Sequence, residues 1–129
     1  KPLFGAIANP ELRARFKVVI NPAVSLTPNE VKSQVIAAIN AFFNIENWDF
    51  GDTFYFSELA AYLHTTLVPN IASILISPAS EDLVFGNYFQ INSEPWEIIT
   101  SAATVDDVDI ISAVTAAQLN LGNNLIVTY

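Results

Sequence analysis

At 129 residues without a single cysteine, the chain has the length of one domain, and disulfides, thiol catalysis and zinc–thiolate sites are excluded. Hydrophobic residues make up 52% and charged residues only 14%, where an average soluble domain is about a quarter charged; the mean hydropathy is +0.39. The net charge of −8 is unevenly spread: all five Lys and Arg lie in the first 32 positions, while residues 33–129 hold eleven of the thirteen acids and no cation, which argues against nucleic-acid binding through a basic face.

Charge-free runs such as 59–79 are broken by His64, Thr65, Thr66, Pro69 and Asn70. No stretch reaches the roughly 18–20 apolar residues that a membrane helix needs, so no membrane partner is expected. The surplus apolar surface belongs in a core or in a protein interface. The basic N-terminal segment should meet acidic protein surface, from its own fold or from a partner.

In chain order, residues 1–11 contain Pro2, Gly5, Asn9 and Pro10 and predict an incoming linker, with a single α+β domain over 12–129. The absence of any methionine fits a processed or excised piece of a longer protein, and no apolar leader is visible at the start. Residues 12–20 alternate, with Arg13, Arg15 and Lys17 on one side and Ala14, Phe16, Val18 and Ile20 on the other, as in a half-buried strand. Thr27-Pro28-Asn29-Glu30 then predicts a helix start: a capping hydroxyl, a proline suited to the first turn, and a glutamate able to reach back. Val31, Val35, Ile36, Ile39, Phe42 and Phe43 follow at helical spacing, giving a helix over 28–43.

A turn is expected over 47–52 and a short extended piece over 53–55. Ser57 is placed as the cap of a second helix carrying Leu59, Leu63 and Leu67, ended by Val68-Pro69. Residues 71–76 form a β-branched run between prolines, expected to be a strand buried on both faces. Residues 83–85, 88–91 and 96–99 predict a meander, with turns at Gly86-Asn87 and Ser93-Glu94-Pro95. Thr104 offers a cap for a third helix, but 105–114 is so rich in β-branched residues that helix and strand both remain open. Residues 125–129 end the chain as an extended apolar segment. The fold class is therefore α+β, a mixed sheet with two to three helices packed on one face.

The sequence offers little that reads as catalysis. His64 has neither a nucleophile nor a second ligand in register, and reads as a helix-surface or interface histidine. Asp106, Asp107 and Asp109 are interrupted by Val108 and Ile110 and lack the glycine of a calcium loop, and Asp106 and Asp107 suit a first helical turn instead. Asp49 and Asp52 could pair as acid and base in a small hydrolase, but they flank Gly51 in a turn, where aspartate is common for conformational reasons. Glu94 and Glu97 straddle another turn. The four glycines are too scattered for a phosphate cradle. The aromatics Trp48, Phe50, Phe54, Tyr55 and Phe56 have no interleaved cations and suit a core or a protein interface, with a sugar-stacking site as the alternative.

Three blocks carry a resemblance: Val18-Val19-Ile20-Asn21-Pro22; residues 50–59, Phe50-Gly51-Asp52-Thr53-Phe54-Tyr55-Phe56-Ser57-Glu58-Leu59, with the helix and strand through Pro78; and Phe89-Gln90-Ile91-Asn92-Ser93 with Glu97-Ile98-Ile99 and 103–108. In order and spacing they resemble the C-terminal part of the baseplate wedge proteins of contractile-tailed, T4-like bacteriophages, within the wider baseplate J-like family. The resemblance spans roughly residues 16 to 111. It implies a virion component of the tail baseplate, assembled in the host cytoplasm, that dimerises, forms a ring and contacts neighbouring wedge proteins. It transfers no catalytic residue and no cofactor, and a non-enzymatic role is expected. The residues expected at the interface are Trp48, Phe50, Phe54, Tyr55, Phe56, Leu125, Val127 and Tyr129. The alternative is a ligand- or receptor-binding module built on the aromatics around Trp48.

Overall fold

A computed structural model describes residues 1–78, 90–112 and 125–128, with Pro78 and the last four as backbone only. Its strands are β1 (Pro2–Leu3), β2 (Ala14–Ile20), β3 (Thr53–Tyr55), β4 (Ile71–Pro78), β5 (Gln90–Asn92), β6 (Thr100–Ser101), β7 (Val108–Ile110) and β8 (Leu125–Thr128). Among the described residues two α-helices, α1 (Pro28–Phe42) and α2 (Phe56–Leu67), accompany three single turns of 3-10 helix.

The charged alternation after residue 12 becomes β2, which buries Ala14, Phe16 and Val18 and turns Arg15 and Lys17 to the other face. β2 pairs antiparallel with β4 and parallel with β7, and β8 adds antiparallel to β4, giving a mixed sheet in the order β7-β2-β4-β8. A register shift between Val19 and Ile20 lets Ile71 and Ile74 both enter the core, although they stand three apart. Leu75, between Ile74 and Ile76, is buried on the opposite face, so β4 is covered on both sides as its composition predicts.

Both helices pack on the Phe16 and Val18 face. Thr27 Oγ1 accepts a hydrogen bond from the Glu30 amide at 3.2 Å and starts α1 at Pro28, as the motif predicts. Val31, Val35, Ala38 and Ile39 line its inner stripe. On α2, Leu59, Leu63 and Leu67 repeat at the i+4 spacing of one helical face and join the same core. This helix begins one residue before Ser57, directly from β3 and without a side-chain cap, because Phe56 is drawn into the core. The α+β class, with helices on one face of a mixed sheet, is the observed architecture.

Three local expectations are corrected. Residues 1–11 are not a free linker: β1 pairs parallel with β6, and Leu3 and Phe4 are fully buried. Phe4 adopts φ 80, a costly conformation for a bulky residue, with its ring packed edge-on against Phe16, Phe43 and Phe54. Gly5 beside it is required by space, since a Cβ there would run into the Ala102 carbonyl. Where helix and strand were both open, Thr104 starts only a single 3-10 turn, Val105–Asp107, whose Asp107 carboxylate accepts from the Thr104 amide at 2.8 Å; residues 113–114 lie outside the described residues. The β-branched residues after it go into the sheet as β7, where Val108 lies beside Phe16.

The meander is not formed as predicted among the described residues. β5 pairs with β3, and β6 pairs with β1. The short edge at Thr53–Tyr55 needed a partner, and strand 90–92 supplies it across the 34 intervening residues 56–89 rather than pairing with 96–99. Residues 83–85 and 88–89 and the Gly86-Asn87 turn lie outside the described residues.

Candidate functional site

The β3–β5 ribbon ends in two turns laced to each other. Gly51, at φ 81, makes the first turn possible, and its amide donates to the Glu97 carbonyl of the second at 2.9 Å. The Ser93 hydroxyl donates to the Asp52 carbonyl at 2.6 Å. Within each turn a carboxylate accepts a backbone amide three residues back: Asp52 from Asp49 at 2.8 Å, and Glu97 from Glu94 at 2.9 Å. On these braced turns stand Phe50, 66% exposed, and Trp96, 73% exposed. The same two turns carry four acids, Asp49, Asp52, Glu94 and Glu97.

The aromatics expected at an interface divide sharply. Phe54 and Phe56 are not surface residues but core, packed against each other at 4.9 Å between ring centroids and against Phe4. Phe54 enters from β3 and Phe56 from the first position of α2, and both rings join the same core. Trp48 is half-buried: its ring stacks on Phe43 at 5.3 Å and its indole N–H donates to the Phe42 carbonyl at 2.9 Å. Phe50 remains outside, as does Tyr55 at 40% exposure on β3. Leu125 and Val127 lie on β8, the strand next to β4; Tyr129 lies outside the described residues.

Trp96 falls outside the residues expected at the interface, since the sequence places 96–99 in a strand; the turn residues Ser93-Glu94-Pro95 directly before it are the signal that marks a surface position.

The acids find structural employment. Asp49 and Asp52 share one turn instead of facing each other across a cleft. Asp106 and Asp107 sit in the 3-10 turn, and Asp109 joins Arg15 in a two-pronged pair at 2.7 and 2.9 Å. The Arg15 hydrogen bond holds the Asp109 carboxyl below the ordinary carboxylate range, with burial opposing it; the guanidinium is raised in turn. Of the basic N-terminal segment, Arg15 thus meets an acid of its own fold, while Lys1 and Arg13 donate to backbone carbonyls. His64 lies half-buried on α2. No group of three or more His, Cys, Asp or Glu side chains is placed to hold a metal ion among the described residues. No known protein-family profile matches the chain, and no curated protein matches it.

Proposed function

We propose that this chain is a structural component of a contractile phage tail baseplate wedge, a non-enzymatic domain that self-associates and docks neighbouring wedge proteins in the virion. The observation that carries the reading is the exposed pair Phe50 and Trp96 on two mutually braced turns. Aromatic side chains are enriched at protein contacts and dominate their energetics when they enter a partner's pocket. The three sequence blocks behind the baseplate resemblance, far apart in the chain, are neighbours in space. β3 beside β5 joins the second block to the third, and β7 beside β2 joins the third to the first.

Light scattering across a dilution series tests self-association. A dimer or larger species at micromolar concentration is expected, and a strict monomer up to roughly 100 μM would remove it, since an obligate interface of about 2,000 Å² or more holds far below that. A glycan panel addresses the receptor-binding alternative. Saturable binding that depends on Trp48 would replace the assembly reading.

A further inference from the structure

We infer that the recess between the end of α1 and the start of α2 is a pocket for an arginine or lysine side chain offered by a partner protein. The inference rests on the docking role proposed above and gives one feature of the partner. The recess has a volume of about 330 Å³ and is lined by Ala41, Phe42, Asn47, Trp48, Glu58 and Tyr62. Three rings surround it, with Phe42 5.9 Å from Trp48 and 5.4 Å from Tyr62 between centroids. Glu58 and Tyr62 stand one helical turn apart on α2, which brings a carboxylate and a ring to the same wall.

Aromatic faces attract cations through their quadrupole, and an adjacent carboxylate adds a full charge. The alkyl stem of arginine or lysine then covers the apolar floor while its head meets Glu58. A phosphate would be repelled by that carboxylate, and a neutral sugar, although its hydroxyls can donate to it, would leave its charge uncompensated. The walls are set before any ligand arrives, because the Trp48 indole N–H is tied to the Phe42 carbonyl and its ring is stacked on Phe43.

None of the chain's five cations serves this recess. Lys1 Nζ donates to the Asn92 carbonyl, Arg13 to the carbonyls of Ala6 and Ala8, and Arg15 to Asp109, whose carboxylate also feels Lys17 and Lys32. With no Lys or Arg between residues 33 and 129, the complementary charge has to come from another molecule.

The test is a titration of the ¹⁵N-labelled protein with acetyl-Gly-Arg-Gly-amide and its lysine counterpart, following the Trp48 indole resonance assigned with Trp48→Phe. The neutral isostere acetyl-Gly-citrulline-Gly-amide is the control. A saturable shift in the millimolar range is expected from the cationic peptides and none from the citrulline peptide, with Glu58→Gln weakening the response at least about three-fold. No shift from either cationic peptide, an equal response to citrulline, or indifference to Glu58→Gln overturns the pocket. The double variant Phe50→Ser/Trp96→Ser separates the two readings. It is expected to keep the arginine response while losing self-association, so either property can fail without the other.

Discussion

Two regions of this domain treat large apolar side chains in opposite ways. Between the sheet and the helices the residues are aliphatic and go inward: Val31, Val35, Ile39, Leu59, Leu63, Ile74 and Ile76 meet in one core. At the β3–β5 end they are aromatic and divided, with Phe4, Phe43, Phe54 and Phe56 inside and Phe50, Trp96 and Tyr55 outside. The first region is explained by folding alone. The second keeps rings in water while rings one turn away are buried, and folding gives no reason for that.

Substitutions at the two kinds of site should separate accordingly. Phe54→Ala, at the centre of the buried rings, is expected to cost about 3–5 kcal/mol in urea unfolding, through lost burial and the cavity left behind. Thr27→Ala removes the cap of α1 and is expected to cost about 1 kcal/mol by the same measurement.

Asp109→Asn breaks a pair whose side chains are each 37% exposed, so solvent screening limits the loss to roughly 0.2–1 kcal/mol at neutral pH. Its pH dependence is the sharper test. Arg15 lowers the folded-state pKa of Asp109, so the stabilisation is present above the ordinary value of 3.8 and is lost as pH falls through the lower folded value. Wild type and variant should therefore converge in stability well below pH 3.8. Smallest of all in stability, Phe50→Ser and Trp96→Ser are each expected to stay within about 0.5 kcal/mol of wild type, although both delete a large ring. A loss of several kcal/mol at either would assign that ring to the core and erase the contrast between the regions.

The sequence was most legible where the determinants are local. The Thr27-Pro28 start, the Leu59, Leu63 and Leu67 stripe and the alternation of 14–18 all lie where periodicity and capping place them. Pairing between distant segments was not legible. Nothing near Pro2-Leu3 announces Thr100-Ser101 as a partner, and Pro2 and Gly5, which suggested a linker, instead pair with Thr100 and lie against the Ala102 carbonyl. The aromatic run 48–56 shows the same limit. Composition marked it as core or contact, but only the junction of β3 with α2 decides that Phe54 and Phe56 go in while Phe50 stays out.

The most direct measurement is acrylamide quenching of Trp96 fluorescence in a Trp48→Phe background, across the concentration range of the proposed self-association. Shielding of Trp96 in the concentrated protein and ready quenching on dilution are expected. Equal quenching at every concentration, while the protein remains associated, would contradict the claim that these two turns are where the chain makes contact.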